Sequence, residues 1–230
     1  MNGIEFVYFD LDDTILDHKG AQNLALGDLQ RLMPELATFP LARILEVYGI
    51  VNGRVWKEYA AGTRDKEGTR SGRFELLFDA LGVEADAMQA AGSYLQAYSD
   101  HWSLIDGSWE AYRHVAQSFP TGLLTNGFAE AQRAKLAKFP VLAKTFSAIV
   151  ISEEEGVLKP HPELFRIAGA RAGVSPDRIA YVGDSLSSDI RGGLRAGWQV
   201  VWYTDADAPA DLSEVPTFRD WSQLASILGI

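Results

Sequence analysis

The sequence predicts an α/β protein: a Rossmann-like parallel sheet with helices on both faces, interrupted by an inserted all-helical domain. Three observations predict it. From about residue 103 onward, short apolar, β-rich runs alternate with stretches of helical spacing, the rhythm of βα units. One more strand-like run, Ile4 to Phe9, stands apart at the N-terminus. Between them, from about Lys19 to Trp102, apolar residues recur at helical spacing and no run reads as a strand.

Each element has its own signal. Ile4 to Phe9 is apolar or aromatic at nearly every position and ends in a crowd of acids, Asp10, Asp12, Asp13 and Asp17. In "RFELLFDALGV", Phe74, Leu77, Phe78 and Leu81 fall at i, i+3, i+4 and i+7, and Gly82 is a helix stop. Asp86 is placed to cap the next helix, Ala87 to about Tyr98. After Asp106-Gly107, a helix at Ser108–Gln117 leads to the strand "TGLLT", and a helix at Ala129–Leu136 to "SAIVI". A helix at Pro162–Ala172 leads to "RIAYVG", and one at Ser187–Ala196 to "QVVWY". Gly173 and Gly197 stand just past helix ends, where a left-handed cap is cheap for glycine. The domains expected are an α/β core, 1–16 with 103–230, and a helical insert, 17–102. "DADAPADLSEVP" reads as an acidic surface loop.

Composition narrows the function. A formal net charge of -10 argues against nucleic acid, which is bound through clustered Lys and Arg. A divalent cation, or a small anion held with one, fits better. With no cysteine, disulfides and thiolate metal sites are excluded. The N-terminus has neither the basic region nor the apolar run of a signal peptide, and no apolar stretch approaches the roughly 18 residues that span a bilayer. A soluble, cytoplasmic protein with no membrane partner is expected.

Ligands of open parallel sheets bind at the carboxyl ends of the strands. Those ends carry "DLDDT" (Asp10 to Thr14), "TNG" (Thr125 to Gly127) and "GDSLSSD" (Gly183 to Asp189), and "KPHP" (Lys159 to Pro162) opens a helix. Brought to one edge, they supply carboxylates, a hydroxyl, an ammonium and glycine-flanked amides, the inventory for magnesium-assisted phosphoryl transfer. Alone, each has a plain alternative: turn acids, an ordinary turn, a surface lysine, or, for Asp189, an acid favourable to a helix N-terminus. For Asp13 and Asp17 solvation or capping is the better reading. His161 reads as a loop residue.

The four motifs, in this order, resemble those of the haloacid dehalogenase (HAD) superfamily, and the helical insert looks like that family's cap. The resemblance covers about two thirds of the chain and implies specific roles. Asp10 would be the nucleophile, forming an aspartyl-phosphate. Asp12, two residues on and facing the same way along an extended backbone, would be the general acid and base. Thr125 and the amides of Asn126 and Gly127 would hold phosphoryl oxygens, and Lys159 would neutralise nucleophile and phosphoryl group. Mg²⁺ would be held by Asp10, Asp184 and the backbone carbonyl of Asp12. Asp189 would orient metal-bound water or Lys159. His161 departs from the acid that many relatives carry between the two prolines.

Within the superfamily, Asp12 favours phosphate chemistry over carbon–halogen cleavage. The insert, with Trp56 and Arg73-Phe74, followed by "TNG" and "ISEEEGVLKP", looks most like the branch of pyrimidine 5′-nucleotidases and N-acylneuraminate-9-phosphate phosphatases. This implies a small phosphomonoester substrate, nucleoside monophosphates first and sugar phosphates second. A 2-haloacid dehalogenase, a phosphomutase and a catalytically silent binding protein are the alternatives. The six basic residues Arg54, Lys57, Arg64, Lys66, Arg70 and Arg73 read as a solvated face with acids interleaved. Monomer and homodimer are both compatible with the composition.

Overall fold

All four residues of the first strand, Phe-Val-Tyr-Phe, are buried, because apolar layers cover both faces of the sheet. The structure, a computed structural model, describes Met1 and residues 3–230. Its elements run β1 (Phe6–Phe9), α1 (His18–Leu32), α2 (Leu41–Ala60), α3 (Lys66–Leu81), α4 (Ala87–Asp100), α5 (Ser108–Ser118), β2 (Thr121–Thr125), α6 (Ala129–Lys138) and α7 (Pro140–Ala143). There follow β3 (Phe146–Ile151), α8 (Ser152–Glu155), α9 (Pro162–Ala172), β4 (Ile179–Gly183), α10 (Arg191–Arg195), β5 (Gln199–Tyr203), β6 (Thr217–Phe218) and α11 (Leu224–Leu228). They form two compact units, Met1–Asp17 with Leu104–Ile230, and His18–Ser103.

The first unit is a Rossmann-like α/β fold. Its six strands are parallel, in the order β3-β2-β1-β4-β5-β6. Alternation along β1 divides the core. Val7 and Phe9 pack with Tyr112, Leu123, Val182 and Trp221, whereas Phe6 and Tyr8 pack with Leu124, Phe165, Tyr181 and Trp198.

Some details differ from the sequence reading. The first strand begins at Phe6, not Ile4; ahead of it, Glu5 N–H donates to Arg178 O at 2.9 Å. β6 has only two residues, too few for any periodicity to show. Finally, the helix expected over 187–196 is split into a π-turn, Leu186–Ile190, and the short α10. The cause is local: the amides of Asp189 and Ile190 both reach back to Ser185 O, and the Ser185 amide donates to Asp189 Oδ2 at 3.0 Å. The wider turn carries Asp189 inward.

The second unit is helical. α2 packs on α3, and α1 and α3 on α4, around Leu26, Tyr48, Phe74, Leu77 and Tyr94. Asp86 caps α4, accepting from the amides of Met88 and Gln89 at 2.9 and 3.0 Å. Gly82 closes α3 in the left-handed region. Of the basic run, Arg54 and Arg64 pair with Glu58, and Arg70 with Glu67. Arg73 instead is buried, its guanidinium 4.9 Å from the centre of the Tyr94 ring. No helix of the described residues is long and apolar enough to cross a membrane.

Candidate active site

In this strand order the chain runs outward from β1 to β3 on one side and from β4 to β6 on the other. The crevice at such a reversal, between the ends of β1 and β4, is where this class of sheet takes ligands. Asp10 follows β1 directly, and its amide extends the ladder by one bond, to Val182 O at 2.9 Å. The chain then turns: Asp13 has φ 58°, and its amide donates to Leu16 O at 2.8 Å. Thr14, fully buried, donates its hydroxyl to Asp184 Oδ1 at 3.3 Å, joining the ends of β1 and β4.

Lys159 arrives from the loop before α9. The Asn126 side chain holds its backbone at both ends: Asn126 Nδ2 donates to Lys159 O at 3.0 Å, and Lys159 N–H to Asn126 Oδ1 at 2.7 Å. The ammonium is then surrounded by Asp10 Oδ1 at 2.8 Å, Asp189 Oδ1 at 2.7 Å, the Tyr181 hydroxyl at 2.7 Å and Leu124 O at 3.2 Å. Asp189, fully buried, spends its other oxygen on the Ser185 amide. A side chain at Gly183 would have its Cβ 2.5 Å from Asp189 Oδ2, so glycine lets this carboxylate approach the strand end.

A second cluster surrounds Asp12. Lys135 Nζ lies 2.6 and 2.7 Å from its two oxygens, and Gln132 Nε2 donates to Oδ2 at 3.1 Å. The same amide nitrogen donates to Thr125 Oγ1 at 2.7 Å. The Gly127 amide is turned to Ser152 Oγ at 3.1 Å. His161 is more than a loop residue, since its Nδ1 accepts from the Glu163 amide at the start of α9.

Electrostatically the two clusters differ. Asp12 and Lys135 balance each other. Around Lys159, three carboxylates (Asp10, Asp184 and Asp189) present oxygens all within 4.8 Å of one another, against one ammonium. Burial, then the charges of Asp189 and Asp184, push the Asp10 carboxyl well above its usual range, opposed by Lys159. Burial works against the Lys159 charge, yet Asp10 and Asp189 outweigh it and raise its pKa. A largely buried, all-oxygen donor set with excess negative charge suits a hard divalent cation. Both Asp189 oxygens are already engaged, one by Lys159 and the other by the Ser185 amide.

The structure thus places Asp10, Lys159, Asp184 and Asp189 in one cluster, and Asp12, Thr125 and Asn126 in the adjoining one. Sequence reasoning missed Gln132, Lys135 and Tyr181. The available signal was weak: polar residues three apart, on the helix face that α6 buries.

Comparison with known proteins identifies the family. The family model described as haloacid dehalogenase-like hydrolase matches residues 4–197. YfnB of Bacillus subtilis is 31% identical over 226 residues, covering 96% of this chain and 94% of YfnB. The pyrimidine 5′-nucleotidase YjjG of Escherichia coli is 30% identical over 200 residues, covering 86% of this chain and 85% of YjjG. The crystal structure of YfnB bound to magnesium superposes with a TM-score of 0.83 at 29% identity, covering 99% of each chain. With its motifs at the strand ends and this match over most of its length, the chain belongs to the haloacid dehalogenase-like hydrolase family.

Proposed function

We propose that this hydrolase is a magnesium-dependent phosphomonoesterase working through an aspartyl-phosphate on Asp10. Nucleoside monophosphates are its first substrate class and sugar phosphates the second. The observation that carries the reading is the pair of carboxylates at the end of β1. One, Asp10, is held against a buried ammonium; the other, Asp12, follows two residues later in a separate charge-balanced setting. Dehalogenation needs the first but gives the second no task.

In this reading, an Asp10 carboxylate oxygen attacks phosphorus as the bond to the leaving oxygen breaks, and Asp12, entering the step in its protonated form, gives that oxygen its proton. Asp12 then takes a proton from water, whose oxygen attacks phosphorus; the bond to Asp10 breaks, and phosphate leaves with Asp10 restored. Lys159 offsets part of what burial costs the Asp10 charge and draws charge from the transferring oxygens. Thr125 and the Asn126 amide bind those oxygens; the Gly127 amide, expected beside them, is engaged by Ser152 Oγ. Magnesium, held by Asp10, Asp184 and the backbone carbonyl of Asp12, would supply further positive charge. The helical unit, residues 18–103, serves as the cap and carries substrate selection.

The test is phosphate release with magnesium and then with EDTA, across nucleoside monophosphates, sugar phosphates and p-nitrophenyl phosphate. Magnesium-dependent release that disappears in a folded Asp10→Asn variant is expected. Halide release from haloacids, or isomerisation without free phosphate, would replace the reading with dehalogenase or mutase.

A further inference from the structure

Helix α6 buries Gln132, Lys135 and Leu136, so two of its three buried side chains are polar. Lys135 is 4% exposed and Gln132 1%. Apolar residues there would bury more favourably, so a polar pair points to a constraint other than stability. Both reach the same carboxylate, that of Asp12. Gln132 Nε2 also meets Thr125 Oγ1 at 2.7 Å and Asn126 O at 3.1 Å. Among the described residues, its Oε1 is buried with no hydrogen-bond partner. That imbalance fixes the orientation of the amide. Rotated by half a turn, its oxygen would face a carboxylate and a carbonyl.

The consequence falls on Thr125. A threonine hydroxyl has one proton to give. Because Thr125 Oγ1 accepts from Gln132, that proton is left for another acceptor, and the one at hand is Asn126 O at a long 3.3 Å. Stronger acceptors, such as the oxygens of a phosphoryl group, would take it readily. One helix therefore sets both the polarity of a hydroxyl at the end of β2 and the position of a carboxylate beyond the end of β1.

We propose that Gln132 and Lys135 are positioning residues for phosphoryl transfer. Gln132 commits the Thr125 proton to the phosphoryl group, and together with Lys135 it keeps the Asp12 carboxylate beside that hydroxyl. The inference rests on the phosphomonoesterase reading and adds two groups that act through others rather than on the substrate.

The test compares the parent with Gln132→Leu, Thr125→Val and the double variant, and with Lys135→Met and Lys135→Arg. Readouts are kcat and KM for p-nitrophenyl phosphate with magnesium, and orthovanadate binding by calorimetry. Gln132→Leu should lower kcat by about tenfold to a hundredfold, the range for groups that orient a binding residue, with a smaller change in KM. Added to Thr125→Val, it should cost less than it does alone, because part of its effect is exerted through that hydroxyl. Vanadate binding should weaken in parallel. Lys135→Met should lose activity that Lys135→Arg largely restores, whereas Arg133→Ala, on the exposed side of α6, should match the parent. Parental kcat in Gln132→Leu, or losses that simply add in the double variant, overturn the proposal. If Gln132→Leu does not fold, Gln132→Met, which also cannot donate, takes its place. A parent that binds vanadate but releases no phosphate overturns the phosphomonoesterase reading, and the vanadate series still decides the positioning role of Gln132 and Lys135. A parent that does neither overturns both.

Discussion

A lysine can stay charged inside a protein only where its neighbours replace the water it has lost, and Lys159 has four such neighbours. Removing it should be costly in a way that depends on metal. Lys159→Met leaves Asp10 and Asp189 buried and unopposed, a loss of about 3 kcal/mol by the usual cost of breaking a buried pair. Denaturant unfolding in EDTA should show that loss in full, and magnesium should recover part of it; equal losses in both conditions would count against an ion at Asp10. In the helical unit, His101 Nε2 lies 2.6 Å from Asp28 Oδ2. The hydrogen bond to His101 is the largest cause holding the Asp28 carboxyl below its ordinary 3.8. A lowered folded-state pKa gives stability that is present above the ordinary value and is lost as pH falls through the lowered one. Asp28→Asn should therefore melt slightly earlier than the parent at mildly acidic pH, by under about 1 kcal/mol for a partly exposed pair, and the gap should close below pH 3.8. A gap that widened on acidification would contradict the pairing. Residues such as Asp10, Lys159 and Asp184 were legible because each adjoins a strand end or helix start that the sequence also marks. Gln132, Lys135 and Tyr181 were not: nothing local says that a helix or strand interior will face a carboxylate from a distant turn.

Elements were most legible where a terminus has its own chemistry. Asp86 was readable as a cap ahead of Ala87, and its carboxylate takes both the Met88 and Gln89 amides. Asp86→Ala should cost about 1 kcal/mol, the usual worth of an N-cap, measured by chemical denaturation. Gly82 was readable for the complementary reason, since its φ of 68° is one that a β-carbon resists. The π-turn over Leu186–Ile190 was not legible, because "LSSDI" has ordinary helical composition. Its widening comes from Ser185 bonding to the turn and from Asp189 being drawn to Lys159, a contact 30 residues away in sequence. β6 escaped for another reason: its pairing with Trp202 and Tyr203 is a property of the sheet edge, not of Thr217 and Phe218 themselves.

At the scale of the whole molecule, alternating strands and helices announced a parallel sheet, but the order β3-β2-β1-β4-β5-β6 is a long-range fact that periodicity does not encode. That order gathers Asp10, Asp184 and Asp189 from the ends of β1 and β4, and all three lie in the α/β unit. Whole-molecule charge then offers a confounding effect. At a formal net charge of -10, any salt should stabilise the fold somewhat by screening self-repulsion. Magnesium should do more than that. An ion at about a hundred times its dissociation constant contributes about 2.7 kcal/mol, which for a unit of this size raises the melting temperature by roughly 5 to 10 °C. The measurement is differential scanning calorimetry in EDTA, in magnesium, and in sodium chloride matched for ionic strength. Magnesium should exceed matched sodium by most of that shift, and Asp184→Asn should abolish the excess while keeping the sodium effect. If the two units melt separately, the transition of the α/β unit alone should move, because the helical unit contributes none of these carboxylates. Equal shifts in magnesium and matched sodium would leave only screening, and the carboxylate cluster would then be held without an ion, by Lys159, Thr14, Tyr181 and the Ser185 amide.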